Sequence, residues 1–291
     1  MALNAQTFKT RTLTAVFFVL VMLAGLLINH WTFFILFSII HFGCWFEYQK
    51  LIRLIDADYA AISPFHKYGV MLLGWGFMMF MTNKAYHLIA TISLNELGWF
   101  ALLIGTFALP VTEIVFSRDF MLKRIAYSIF GLVYISVSCG LMMELRNHGM
   151  SFKGDMLFFD FGFAIPCTII FSMWVNDTMA YIVGSFIGKT PFSKISPKKT
   201  WEGTIGGIIL TIAVAFAFSY FTDEPNYKTV WIAAVAAIAG TVGDLLESKL
   251  KRMAGVKDSG SIMPGHGGFL DRFDSLLLAV PFVWAVVYFI G

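Results

Sequence analysis

The sequence predicts an all-α, polytopic integral membrane protein with about nine transmembrane helices, its N-terminus cytoplasmic and its C-terminus outside. Three observations predict it. The 291 residues are 58% hydrophobic and 13% charged, about half the roughly 25% charge of a soluble domain, so lipid must be the solvent for much of the chain. Nine apolar runs approach the ~20 residues that cross a bilayer: residues 13–29, 31–49, 68–83, 99–117, 125–145, 161–187, 201–221, 228–248 and 268–290. With nine crossings from a cytoplasmic N-terminus, seventeen of the 21 Lys and Arg fall on the cytoplasmic side. Only Lys84, Arg146, Lys153 and Lys228 fall outside, as the positive-inside rule requires.

The elements follow in order. Met1–Thr12 is short and polar, with Lys9 and Arg11. The apolar run after it leads directly into a second run with no small-residue cleavage site, so it is expected as a retained first span rather than a signal peptide. The third run is short. The sixth is long, and Pro166 is expected to kink it or to mark a late start. Cys44, Cys139 and Cys167 lie far apart in apolar segments with no metal-binding spacing, and are expected as buried apolar residues.

There is no internal repeat and no low-complexity linker, so residues 1–291 are expected to form a single membrane domain. Residues 1–160 hold few intramembrane charges, Glu113 and Glu144 among them, both near expected span ends. That half is expected as scaffold and lipid-facing helices. Residues 161–291 hold nearly all the chemistry and are expected as catalytic helices and cytoplasmic loops.

An ionisable residue at membrane depth needs a reason. Asp244, Glu247, Ser248 and Lys251 follow i, i+3, i+4, i+7 spacing and share one face of the eighth span near its cytoplasmic end. Asp271, Asp274 and Ser275 repeat the pattern at the start of the ninth. One cytoplasmic loop joins the two, so both acidic faces are expected at one depth. Carboxylates from two helices make a site for a hard cation such as Mg²⁺, which takes oxygen ligands and completes its shell with phosphate. The alternative is a set of salt bridges to Lys251, Arg252 and Arg272.

The joining loop, Lys257-Asp-Ser-Gly-Ser-Ile-Met-Pro-Gly-His-Gly-Gly268, is glycine-rich. Glycines let backbone N–H groups approach an anion. Flanked by Lys251, Arg252, Lys257 and Arg272, the loop suits a triphosphate with its metal. His266, Gly267 and Gly268 are candidate substrate contacts; His266 is not needed as a general base.

A second cluster joins the sixth and seventh spans. Ser196-Pro197 reads as an N-cap and first turn. A helix N-terminus carrying Lys198, Lys199 and Thr200 would then be a phosphate site. Glu202 follows, either contacting metal or nucleotide or pairing with a lysine. Asp177 lies inside the sixth span with Tyr181 and Gly184 on the same face, and is expected to face a polar cavity.

These residues resemble a known family. The stretch from Ser248 through Lys251-Arg252, Lys257-Asp258-Ser-Gly260 and Pro264-Gly-His266-Gly-Gly268 to Asp271-Arg-Phe-Asp274 is similar to the signature of phosphatidate cytidylyltransferases, or CDP-diacylglycerol synthases. Met263 departs mildly, standing where Leu, Ile or Phe is expected. Ser196-Pro-Lys-Lys-Thr-Trp-Glu-Gly203 and Asp177-Thr-Met-Ala-Tyr181 resemble two further family segments. The resemblance implies a helical membrane enzyme of the inner, cytoplasmic membrane, homodimeric, with a Mg²⁺-dependent site open to the cytoplasm and room for a second cation. It implies CTP, phosphatidic acid and membrane lipid as partners; no nucleic acid is expected. By analogy Asp244 and Asp271 would be the central metal ligands, joined by Asp258 and Asp274. Lys251 and Arg272 would act at the reacting phosphates.

The implied reaction is attack of the lipid phosphate on the α-phosphorus of CTP. All partners are anionic, so cations and alignment address the barrier. A CTP-dependent lipid-alcohol kinase is the rival within enzymes. The spaced DGxxAR motif of CDP-alcohol phosphotransferases is absent. An ion-coupled transporter would show related halves with broken helices, whereas here the charges sit in one third of the chain.

Overall fold

The computed structural model describes residues 5–89, 92–116, 122–153, 156–221, 227–261 and 267–290. Helices lie where the apolar runs predict them: α1 (Ala5–Leu27), α2 (His30–Ile55), a single turn α3 (Ala57–Ala60), α4 (Pro64–Phe80) and α5 (Leu94–Phe116). Next come α6 (Leu122–Gly131), a π-helical segment (Leu132–Val137) and α7 (Ser138–Asn147) as one continuous rod. Then follow α8 (Ala164–Ile187), α9 (Trp201–Phe221), α10 (Tyr227–Met253) and α11 (Leu270–Ile290). Among the described residues, six helical stretches are long and apolar enough to cross a membrane: His30–Ile55, Leu94–Val115, Leu122–Asn147, Trp201–Phe221, Tyr227–Met253 and Leu270–Ile290. Two antiparallel hairpins stand outside the all-α description. They are β1 (His87–Ile89) with β2 (Ile92–Ser93), and β3 (Met150–Lys153) with β4 (Met156–Asp160). Both lie in connections, where they pair backbone groups that no helix serves.

Local chemistry sets the boundaries. Asn29 and Thr32 cap α2 reciprocally: Thr32 N–H donates to Asn29 Oδ1 at 2.9 Å and Asn29 N–H to Thr32 Oγ1 at 3.2 Å, a capping box that satisfies two otherwise orphaned donors. Ser63 accepts from His66 N–H at 3.1 Å, and Pro64 at the first helical position has no N–H to leave unpaired. Pro166 falls in the first turn of α8, so it marks a late start rather than a kink.

The core is built on α2, whose Phe33, Phe37, Ile40, Cys44, Trp45 and Tyr48 are all but inaccessible. Cys139 is buried as well, and Cys167 half-buried. Ser136 of the π segment lies 3.0 Å from His41 Nε2 and accepts from Trp45 Nε1 at 2.9 Å. Ser138 donates to Leu277 O at 2.5 Å, and Tyr134 donates to Asp274 O at 3.4 Å. The π insertion therefore ties α2 to the acidic start of α11; such insertions frequently mark functional sites. Glu113 is not isolated: its Oε2 lies 3.1 Å from His66 Nδ1, whose Nε2 lies 2.8 Å from Ser128 Oγ. That cluster ties α4, α5 and α6 together.

Small residues set the helix crossings, since lipid supplies no hydrophobic drive and close approach must. A Cβ on Gly203 would meet Ala180 O at 2.7 Å and Gly184 Cα at 3.0 Å. A Cβ on Gly243 would meet Asp274 O at 2.6 Å. These contacts bring α8 against α9 and α10 against α11, the two helix pairs that frame the site. At the far end of the bundle Arg146 donates to Asp160 at 2.7 Å and lies 5.0 Å from the Phe33 ring.

Candidate active site

Two cavities meet on α8 and α10. The first, about 330 Å³, is lined by Asp177, Asp244, Lys251, Asp271, Arg272 and Asp274, with Phe18, Met22 and Phe273 on its apolar side. The second, about 590 Å³, is lined by Asp177 and Asp244 again, with Asn176, Tyr181, Gly184, Ser196, Lys198, Lys199 and Thr200. Asp177 and Asp244 thus stand in the wall that the two share. Tyr181 and Gly184 join Asp177 as their i+4 and i+7 spacing predicts.

The loop before α9 differs from expectation. Ser196 does not cap a helix. Lys199 N–H donates to Ser196 O at 3.1 Å, which makes Ser196–Lys199 a β-turn with Pro197 in its second position, a place that suits its fixed φ. The segment then folds back: Phe192 N–H donates to Lys199 O at 2.7 Å and Trp201 N–H to Thr190 O at 3.0 Å. Thr200 caps α9 instead, its Oγ1 accepting from Gly203 N–H at 3.2 Å. Lys198 and Lys199 consequently project from a turn rather than from a helix N-terminus, yet both reach the second cavity. Lys199 pairs with the Asp244 carboxylate.

Glu202 faces neither cavity. Its carboxylate accepts from Lys189 N–H at 3.2 Å, Thr190 N–H at 3.1 Å and Thr190 Oγ1 at 2.8 Å. It holds the loop in place, which is why it is not offered to a ligand.

The carboxylates of α10 and α11 are held differently from one another. Asp244 Oδ1 accepts from Ser248 Oγ at 3.2 Å. Ser248 therefore acts beside the cavity, through Asp244. Asp271 is the most engaged: Oδ1 accepts from Lys251 Nζ at 2.7 Å, and Oδ2 accepts from Ser259 N–H at 2.9 Å, Ser259 Oγ at 2.9 Å and Gly268 N–H at 2.8 Å. Lys251 also pairs with buried Glu247. Asp274 Oδ1 accepts from Ser275 N–H at 2.7 Å. Gly267 adopts φ +83° beside Asp271, a conformation that other residues adopt at a cost of about 1 kcal/mol or more. Glycine is required there so that the loop can turn onto Asp271.

Several expected residues lie elsewhere. Lys257 and Asp258 are exposed and line neither cavity, and Arg252 is exposed with its Nη1 donating to Val256 O at 3.3 Å. His266 lies outside the described residues. One residue was missed: Glu47 of α2, buried beneath the loop, accepts from Ser259 Oγ and from Leu270 N–H, each at 2.8 Å. A carboxylate inside the expected span 31–49 was the available signal.

The donor set suits a divalent cation bound with a phosphate ligand. Among the described residues no three Asp, Glu, His or Cys side chains converge tightly enough to hold a metal unaided. Mg²⁺ typically takes one or two carboxylates and completes its shell with substrate phosphate and water. Asp244, Asp271 through Oδ1, and Asp274 line one cavity, so two of the three suffice for that number. The Lys199 ammonium against Asp244 occupies the position of a neutralising charge.

A third cavity, about 690 Å³ and almost wholly apolar, lies between α1, α2 and the start of α11. Phe18, Met22 and Phe273 line both it and the first cavity, so the charged and the apolar cavity adjoin at these side chains.

Comparison with known proteins places the chain in a family. Residues 9–290 match the model of the cytidylyltransferase family. A phosphatidate cytidylyltransferase of Bacillus subtilis is 31% identical over 284 residues, covering 95% of this chain and 96% of that protein. Phosphatidate cytidylyltransferase 4, chloroplastic, of Arabidopsis thaliana is 35% identical over 188 residues, covering 60% of this chain and 48% of that one. A phosphatidate cytidylyltransferase of Staphylococcus aureus is 36% identical over 173 residues, 57% and 61% of the respective chains. With nearly its whole length matched, and the matched length including both clusters around Asp177 and Asp244, the chain belongs to the cytidylyltransferase family.

Proposed function

We propose that this chain transfers the cytidylyl group of CTP to phosphatidic acid, forming CDP-diacylglycerol and pyrophosphate in phospholipid biosynthesis. Beyond family membership, one observation carries the reading. A cavity lined by basic turn residues and a cavity that adjoins an apolar one share a wall at Asp177 and Asp244. That arrangement suits one water-soluble polyanion and one anionic lipid meeting at a point.

In this reading the triphosphate lies along Ser196, Lys198, Lys199 and Thr200. The lipid phosphate enters the first cavity beside Arg272 and Lys251, and its acyl chains occupy the third cavity. An oxygen of the lipid phosphate forms a bond to the α-phosphorus, and the bond from that phosphorus to the bridging oxygen breaks, releasing pyrophosphate. The attacking oxygen is already anionic, so no side chain need remove a proton. The residues align two anions and offset their repulsion, which accounts for most of such a barrier. A divalent cation, Mg²⁺ in this reading, would be held by Asp244, Asp271 and Asp274, and when bound it neutralises charge on the triphosphate. Lys199 then passes from Asp244 to a phosphate oxygen. Gly267 and Gly268 line neither cavity and serve the site through Asp271, whose Oδ2 accepts from Gly268 N–H.

The enzyme would lie in the cytoplasmic membrane with this end facing the cytoplasm, where CTP is, and would form the homodimer that the family resemblance implies. The test is pyrophosphate release by purified protein in detergent–phosphatidate micelles with Mg²⁺. Release that requires phosphatidate and prefers CTP to ATP supports the reading. Release that is independent of phosphatidate overturns it.

A further inference from the structure

Glu47 is 4% exposed, on a helix whose neighbouring Cys44, Tyr48 and Leu51 are as deeply buried. A carboxylate so placed requires hydrogen-bond donors. Its donors come from far along the chain: Ser259 Oγ, 212 residues away, and Leu270 N–H, 223 residues away, both onto Oε2 at 2.8 Å. The backbone closes around it as well. A Cβ on Gly260 or on Gly268 would collide with the Glu47 carboxylate. One side chain of α2 therefore holds both ends of the glycine-rich loop.

Ser259 links this anchor to the site. Its hydroxyl lies 2.8 Å from Glu47 Oε2 and 2.9 Å from Asp271 Oδ2. Its N–H, with that of Gly268, donates to the same Asp271 oxygen. A hydroxyl carries one proton, so Ser259 stands as a shared donor between two carboxylates. With Oδ2 fixed in this way, Asp271 presents Oδ1 to Lys251 and the first cavity. Glu47 itself does not line that cavity.

We infer that Glu47 is a positioning residue for the transfer reaction, acting through Ser259 to set the orientation of Asp271. The inference rests on the reading under Proposed function and extends it to a residue of the N-terminal half. Glu47 touches no substrate, so its removal lowers kcat while KM for CTP stays nearly constant. A residue that only stabilised the fold would lower the melting temperature and the active fraction together, without coupling to Ser259.

The experiment measures kcat, KM for CTP and melting temperature of the full-length protein in phosphatidate micelles, for Glu47→Gln, Ser259→Ala and the double variant. Gln keeps the side-chain shape and one acceptor but removes the charge. The expected result is a fall in kcat of about tenfold to a hundredfold in each single variant, per folded molecule, with KM for CTP within about threefold of wild type. The double variant is expected to be no slower than the slower single variant, because the two act as one unit. A folded Glu47→Gln with wild-type kcat overturns the inference, as do multiplicative losses in the double variant. Should Glu47→Gln fail to fold, Ser259→Ala decides alone, and wild-type kcat in it overturns the inference. An inactive but folded wild type would instead count against the transfer reading itself.

Discussion

Lys199, on a turn of the loop between α8 and α9, closes onto Asp244, in the wall that two cavities share. The pair is less than one-third exposed on each side. It joins the basic loop to α10 and holds the carboxylate neutralised before any metal or nucleotide arrives.

Removing the ammonium therefore has two opposite effects. Asp244 becomes available to a cation, and the triphosphate loses a partner. A partly exposed ion pair contributes about 1 kcal/mol or less, so Lys199→Met should tighten divalent-cation binding to the nucleotide-free protein by up to about fivefold. The same variant should lower kcat/KM for CTP by about a hundredfold, the scale of losing one charge-stabilising donor. Calorimetric titration of the metal and initial rates check the two halves. A weaker metal affinity in the variant would contradict the competition.

The crossing of α8 and α9 shapes the second cavity. A methyl group at Gly203 would press on Ala180 O and Gly184 Cα, both backbone atoms that cannot rotate away. Gly203→Ala should cost about 1–3 kcal/mol of stability, as overpacking does, and raise KM for CTP. Ile209→Ala, on the exposed face of the same helix, should do neither. Thermal unfolding in detergent with CTP titrations distinguishes them.

The third cavity gives a prediction for lipid. Val21 lines it on α1. Val21→Trp should fill part of the space and displace about two methylenes of an acyl chain. At about 0.8 kcal/mol per methylene, KM for a long-chain phosphatidate should rise about tenfold, while a short-chain phosphatidate is unaffected. Equal changes for both lipids would place the acyl chains elsewhere.

Acid sensitivity should trace partly to Asp56, between α2 and α3. The Lys123 ammonium, 2.6 Å from its carboxylate, holds the group below the ordinary carboxylate range, helped by the Asp58 N–H at 3.0 Å. A depressed folded value means that the stabilisation is fully present above the unfolded carboxylate range of about 4. It is lost as pH falls through the lower folded value. Asp56→Asn should melt below wild type at neutral pH, and the two curves should converge in acid. Curves that stay parallel through that window would contradict this assignment.

Much of the site was legible in the sequence because helical periodicity is local. Asp177, Tyr181 and Gly184 needed only their spacing to be placed on one face, and they line one cavity. Asp244 and Asp271 needed one short connection to be placed near one another, and they line one cavity. What was not legible depended on contacts between distant segments. Ser196-Pro197 begins either a helix or a turn, and the pairing of Pro191 with Thr200 decides for the turn. The spacing leaves Glu202 between a ligand contact and a lysine pair, and it makes neither, because the backbone of Lys189 and Thr190 folds onto it. Glu47 lay in a run treated as scaffold, and its meaning comes from Ser259 and Leu270, which no spacing rule connects to it. The short hairpins of the connections carry too few residues for a strand period to register.

The most direct test of the central claim follows the phosphorus of CTP. Purified protein is incubated with phosphatidate or diacylglycerol, Mg²⁺ and CTP labelled at either the α- or the γ-phosphorus, with Asp244→Asn in parallel. Cytidylyl transfer predicts that the α label enters the lipid and the γ label leaves as pyrophosphate, with at least a hundredfold loss, roughly, in the variant. Entry of the γ label into lipid, with release of CDP, would contradict the account and assign the same cavities to a lipid kinase.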